Sequence, residues 1–487
     1  LSGTDGVSGE DGTDTGVLAA PLGQKPKPIH QYDLYGRAGF DRVNIFEKPD
    51  MESPRIGYLR MGAVVRVGNP EYSSESCPGG WFGLEQGGYA CQGRGLLVGH
   101  RPKFIKEPPP SPSIDSIEPY RHGFVRKDWT PSYKRLPRPE ELWTPPTETL
   151  TDNEVDTSDA GPTLDPIVIP HKKKGGGADT DTETGLDYHD YAKKNFKTIN
   201  QFLSRGFWIS VADRIADEQT RKQYYKTIKG DFIPAETVHL VVPPSMRGYR
   251  VTGETPLPAV IVTDRKATFH NARGNRFGGA GPAERFSSFP VRERRKVGGT
   301  EYFRVDDKRW VRSNHVELFE LSEPPEGVSD KEKWIRVDLT RQTLEAYEGT
   351  APYYVTVVST GLPNDGKPKL LAEHTETPRG EFRIEWKHVT DDMAGAISDE
   401  DAYSVEDVPW AQYVHRNIAI HAAFWHTSFG RPRSRGCINL TPADARALFH
   451  WTDPQLPEDW HAVAATPHRP GTRVFIVGNT PEVKGRR

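Results

Sequence analysis

The sequence predicts a mostly β, multidomain chain: small β-barrel modules followed by a β-sandwich-like domain with one short helix. Short runs alternating apolar and polar residues recur along the chain, broken by 46 Gly and 42 Pro. That is the pattern of brief antiparallel strands joined by turns. Two distant segments, "YYKTIKGDFIPAETVHL" (224–240) and "YFRVDDKRWVRSNHVEL" (302–318), align without gaps. Tyr224 matches Tyr302, Phe232 matches Trp310, Ile233 matches Val311 and Val238 matches Val316. At 487 residues the chain also exceeds what one core sustains.

Charge narrows the function. The 64 Lys and Arg against 67 Asp and Glu leave a formal net charge of -3, which gives no electrostatic case for nucleic acid or an anionic membrane surface. No apolar run approaches the roughly 18 residues that span a bilayer. The chain begins at Leu1 rather than methionine. The expectation is a removed upstream segment, either a secretory signal or a trimmed end.

Residues 1–30, rich in Gly, Thr, Asp and Ser, cannot bury enough surface to fold and read as a tether. Residues 31–106 hold the first module. Its strands run through "VNIFEKPDMESPRIGYLRMGAVVRVG", and its segment "SSESCPGGWFGLEQGGYACQG" carries Cys77 and Cys91. A close pair in a hairpin-like segment reads as a local disulfide in an oxidising compartment, with two buried thiols as the alternative. Val43, Ile45, Phe46, Pro49, "IGYLRMG", "GGW" and "GGYAC" make residues 35–105 resemble the bacterial Src-homology-type β-barrels. Such modules bind cell-wall peptides or serve as spacers.

Residues 107–187 read as linker, first Pro-rich ("EPPPSPSIDSIE") and later Lys-, Gly- and Thr-rich ("HKKKGGGADTDTETG"). Residues 188–325 are expected to hold one or two further barrel-like repeats, with a helical segment within 190–225. The last domain spans 332–480. In "WIRVDLTRQTLEAYEG", Ile335, Val337 and Leu339 share one strand face. "TPADARALFHW" starts a helix, with Thr441 as N-cap, Pro442 at the first position and Asp444 three residues after the cap. The acidic, small-residue stretch 388–408 is expected to form a mobile cap.

The third cysteine sits in "IAIHAAFWHTSFGRPRSRGCINL" (418–440). A thiol is mostly protonated at neutral pH, so a nucleophilic Cys437 needs a base or a positive field. His421, on an apolar strand, is the candidate base. Arg431, Arg433, Arg435 and the following helix N-terminus offer positive charge. Gly436 permits a sharp bend, and its amide is a candidate oxyanion donor. Asn439 is placed to fix the turn.

This stretch resembles the signature of the L,D-transpeptidases (YkuD-type catalytic domains): a strand histidine, a loop, then Ser-His-Gly-Cys, an apolar residue and Asn or Arg. His421 matches the first histidine, and Ser434, Gly436, Cys437 and Asn439 match the second block. Arg435 stands where the family has its second histidine. "WIRVDLTRQTLEAYEG" and "TPRGEFRI" are similar to the family's opening strands.

The resemblance implies an exported enzyme of the periplasm or cell envelope, without cofactor or metal, acting on peptidoglycan stem peptides as donor and acceptor. Cys437 would be the nucleophile and His421 the general base and acid. Tyr413, Trp425, His426, Arg433, Ser434 and Asn439 would line the substrate groove. The product would be a 3–3 crosslink, or a hydrolysed stem if water resolves the acyl-enzyme. A wall-binding protein without activity is the reading from another class.

Overall fold

A computed structural model describes residues 32–70, 73–143, 197–364, 375–394 and 404–482. The expected tether and the linker residues 144–187 lie outside them. Strands dominate throughout. Among the described residues there is one α-helix, Pro442–Trp451.

The first unit pairs Leu34–Ala38 with both Val64–Pro70 and Leu96–Gly99, and Arg42–Phe46 with Arg55–Arg60. Val43, Ile45, Leu59, Val67 and Leu84 close its core. Cys77 and Cys91 are disulfide-bonded and pack with Phe46 and Trp81.

The second unit corrects the linker boundary. Arg121–Val125 and Thr130–Tyr133, expected within the 107–187 linker, are strands. The first pairs with Trp208–Ala216 and Val238–Leu240, the second with Ile199–Leu203. Two strands of four or five residues among prolines are too short to show a period. The helix expected within 190–225 is also corrected. From residue 197 onward the segment is turn and strand, with Ile199, Phe202, Trp208, Ile209 and Val211 buried along two strands. Residues 190–196 lie outside the described ones.

The third unit stacks a three-stranded on a five-stranded sheet around Val260, Val262, Phe269, Phe303 and Val311. The two aligned segments adopt the same local course: strand, turn, strand, one 3-10 turn, strand. Trp81–Gly99 of the first unit follows it too.

The C-terminal domain packs two sheets and the helix around one core. One sheet orders Tyr249–Arg250, Ala351–Val357, Thr343–Glu348, Lys333–Asp338, Arg473–Val477 and Gly380–Arg383. Tyr249–Arg250 comes from the stretch between the second and third units. The other sheet runs from Ala462–Ala464 through Trp386–Ala394, Ser404–His415 and Ile418–Ala422 to Ile438–Leu440. Ile335, Val337, Trp410, Ile420, Leu440, Leu448 and Phe449 fill the space between. The helix begins as read: Thr441 caps it by accepting from the Asp444 amide.

All three units touch this domain. Arg55–Arg60 continues the second sheet through Gly57 opposite Val463 and Tyr58 opposite Ala462. A Cβ at Gly57 would come 2.4 Å from the Trp460 ring, so only glycine allows this join. The stretch expected as a mobile cap is, where described, a strand hairpin fastened to two units. Arg60 pairs with Asp407, and Lys229 reaches Asp392 at 3.0 Å and Glu406 at 2.8 Å. Its tip, 395–403, lies outside the described residues.

Candidate active site

Ile418–Ala422 runs parallel to Ile438–Leu440, with His421 opposite Asn439 and Ile420 opposite Ile438. Register partners share a face, as do residues two apart. Cys437, Asn439, His421 and Ala419 therefore face one side, while Ile420, Ile438 and Leu440 enter the core. At strand spacings near 4.8 Å and about 3.3 Å per residue, His421 and Cys437 are diagonal neighbours roughly 8 Å apart at the backbone. Long side chains bridge that diagonal.

Cys437 is half-buried. Its Sγ lies 3.7 Å from the Asn417 carbonyl. Burial pushes the thiol up to about 11, with a hydrogen bond from the Ala419 amide acting the other way. The sequence pointed to a positive field that would favour thiolate, and here desolvation wins. Arg431 and Arg435 are exposed to water, and the helix begins five residues later with its cap already filled.

His421 has a defined tautomer. Its Nδ1–H donates to the Ala422 carbonyl at 2.9 Å, leaving Nε2 with its lone pair. Burial pushes the ring down to about 4. Among the described residues it makes no hydrogen bond to Cys437. The resting pair is a thiol and a neutral imidazole, with the proton still on sulfur.

The bend before the sulfur is braced from two sides. Gly436 has φ +116°, and a Cβ there would come 2.6 Å from Ile418 Cδ1. Its amide donates to Ser434 Oγ at 3.2 Å, and Ser434 Oγ donates to the Cys437 carbonyl. The amide expected to face an oxyanion is thus turned onto Ser434, which orders the turn instead. Thr377 Oγ1 donates to the Gly436 carbonyl at 2.8 Å and accepts from the Gly361 amide at 2.8 Å.

Three residues expected along the groove are buried behind it: Trp425, His426 and Asn439. His426 Nδ1 accepts from the Ser428 amide at 3.2 Å, and Nε2 meets the Asn439 carboxamide at 3.0 Å. Asn439 therefore steadies the His426 loop rather than the turn. Burial pushes His426 down to about 3. Arg433 donates to Ser428 Oγ at 2.8 Å. Tyr413 stands opposite Ala419, and its hydroxyl donates to Asp391 Oδ2 at 2.8 Å. Sequence reasoning missed Thr377, Asp391 and Arg285, whose guanidinium donates to the Thr427 and Phe429 carbonyls at 3.1 Å each. Thr377 opens "TPRGEFRI", a segment already singled out for its strand, while the other two carry no local signal.

Residues 332–476 match the family model described as the L,D-transpeptidase catalytic domain, YkuD. That segment is an L,D-transpeptidase catalytic domain. Comparison with curated proteins gives no match. Among solved structures 37 chains match. An L,D-transpeptidase of Enterococcus faecium is 20% identical over 30% of this chain and 50% of its own, with a TM-score of 0.23. One from Stackebrandtia nassauensis is 25% identical over 32% and 60%, with a TM-score of 0.22. L,D-transpeptidase 3 of Mycobacterium tuberculosis is 17% identical over 37% and 78%, with a TM-score of 0.24. The chain spans half to 60% of the length of the first two. No described helix is long and apolar enough to cross a membrane.

Proposed function

We propose that the chain is an exported peptidoglycan L,D-transpeptidase working through a Cys437 acyl-enzyme. One observation carries the reading. On a segment matching that catalytic family, His421 presents an unprotonated Nε2 on the sheet face it shares with Cys437, and its tautomer is fixed by Ala422. A neutral imidazole beside a thiol is the starting state of general-base catalysis.

His421 takes the thiol proton as sulfur attacks the donor carbonyl between the diamino residue and D-alanine. It returns that proton to the departing amine. The amine of a second stem then attacks the thioester, the C–S bond breaks, and a 3–3 crosslink forms as the thiol is regenerated. Water in place of the amine gives hydrolysis at the same site, a carboxypeptidase or crosslink-cleaving outcome. Ser434, Gly436 and Thr377 keep the sulfur at the bend. Arg435 cannot accept a proton, so it serves by its charge or its hydrogen bonds.

The units spanning 32–99, 121–240 and 259–319 would hold the wall or space the enzyme from it, with 1–30 as tether.

The test incubates the full chain with disaccharide tetrapeptides and reads products by mass. Crosslinked dimer that vanishes in Cys437→Ala, whose melting stays intact, is the expected result. Tripeptide alone would make the enzyme a hydrolase. Turnover that survives in the alanine variant would remove the thiol mechanism.

A further inference from the structure

Beside the thiol, the catalytic hairpin meets the first unit. Tyr413 stands opposite Ala419, whose amide hydrogen-bonds the Cys437 sulfur. The Tyr413 hydroxyl is fixed on Asp391 Oδ2 at 2.8 Å. The other Asp391 oxygen lies 3.9 Å from Nη2 of Arg42, on the first unit. The Arg42 guanidinium rests 4.2 Å above the Tyr58 ring. The Tyr58 hydroxyl meets His388 Nδ1 at 3.2 Å, and the same nitrogen is 3.7 Å from Asp391 Oδ2.

The Arg42–Asp391 pair is open. At 3.9 Å it is too long for a hydrogen bond, whereas Arg292–Asp307 on the surface closes to 2.7 Å. The Arg42 side chain is 53% exposed and that of Asp391 21%, so both keep bonding capacity toward solvent. The Tyr413 phenol is pushed well above its ordinary value, first by burial, then by Asp391, with Cys437 and Tyr58 contributing. One phenol thus senses the sulfur and the first unit together.

We propose that Arg42 and Asp391 form the acceptor subsite, selecting an amine that carries a carboxylate on the same carbon. This rests on the acyl-enzyme reading above. An α-amino-acid end holds its nitrogen and a carboxylate oxygen roughly 3 Å apart by standard bond lengths, which suits an acid and a base side by side. Asp391 accepts an amine N–H, and Arg42 grips the carboxylate with its planar fork. The nitrogen forms the C–N bond as C–S breaks, and its surplus proton passes through His421 to the sulfur. The departing D-alanine is itself such an amino acid, so leaving group and acceptor share one place. Tyr413 is a positioning residue, because it holds the carboxylate.

The experiment gives the full chain a disaccharide tetrapeptide with added glycine or methylamine. It reads, by mass, the ratio of amine adduct to hydrolysed tripeptide. The ratio is internal to each sample, so a partly folded preparation does not distort it. Glycine should outdo methylamine by about tenfold or more, the range of a charge-assisted hydrogen bond. Arg42→Gln should collapse that preference toward one. Asp391→Asn still accepts the Tyr413 hydroxyl, yet should lower the adduct ratio for both amines about tenfold. Equal use of the two amines, with both variants unchanged, would overturn the subsite while D-alanine release upheld the acyl-enzyme. Absence of D-alanine release from the unmodified chain would overturn both.

Discussion

Arg285 and Phe429 are joined across a domain boundary: the guanidinium Nη2 of the third unit donates to the Phe429 carbonyl at 3.1 Å. Nη1 takes the Thr427 carbonyl at 3.1 Å, and Nε takes Thr263 of its own unit at 2.8 Å. Burial, then the charges of Arg265 and Arg431, push this guanidinium down to about 10. Phe286 follows at φ +70°, with its ring 6.3 Å from that of Phe429. Thr427 and Phe429 lie between His426 and the Cys437 bend, so the third unit sets the path of the loop carrying the sulfur.

Arg285→Gln should therefore cut the turnover number by about tenfold to a hundredfold, the cost of a misplacement near 1 Å, with the donor KM little changed. Arg285→Lys should recover part of it, since an ammonium reaches one carbonyl but lacks the fork. Steady-state kinetics of both variants, beside their melting curves, checks this. Equal loss of stability and activity in the two would reduce Arg285 to a structural contact.

Alkylation of Cys437 without substrate should keep accelerating as pH rises toward about 11, where burial sets the thiol. A preformed thiolate–imidazolium pair would instead plateau near neutrality. The rate of iodoacetamide adduct formation, followed by mass, separates the two.

Gly436→Ala should abolish turnover and cost about 1–3 kcal/mol for the left-handed backbone alone, with the Ile418 contact adding to it. Denaturant unfolding of the variant, with the reduced thiol counted, measures the effect.

Arg60→Ala should destabilise the chain by about 3–5 kcal/mol, because Asp407 would stay buried without its cation. Burial alone would raise this carboxyl, yet the charge and hydrogen bond of Arg60 hold it down to about 2. Its contribution is full above about pH 4 and is lost as pH falls toward 2. Adding Asp407→Asn to Arg60→Ala should restore much of the loss, as read by a double-mutant cycle.

Acid should act earlier through three buried histidines. Burial pushes His421 to about 4 and His426 and His461 to about 3. Below an unfolded pKa near 6.5 the unfolded chain binds protons that the folded one refuses, so stability falls as pH drops from about 6.5 toward 4. Each histidine contributes up to about 1.4 kcal/mol per pH unit. A stability curve flat from pH 7 to 4.5 would show these rings charging in place.

The sequence was legible where chemistry is local. Cys437, Gly436, Ser434 and His421 stand within twenty residues and share one signature, and Thr441 with Asp444 spells its helix cap. The same text could not show that Gly436's amide would turn onto Ser434, which depends on a bend closing in three dimensions. Arg121–Val125 and Thr130–Tyr133 hid because their partners begin about seventy residues later, beyond any local period. Arg42, Arg285 and Asp391 gain meaning only when distant units dock, since an arginine on a strand looks the same facing water or a carbonyl.

The join at Gly57 and Val463 also bears on how the chain can be cut. An excised fragment starting at residue 332 would leave Ala462–Ala464 as a raw sheet edge with unmet amides and carbonyls. It would also bare the Phe424 and Trp425 surface now covered by Trp208. Such a piece is poised to stick to its own copies, so the catalytic segment is best purified together with the units that cover it.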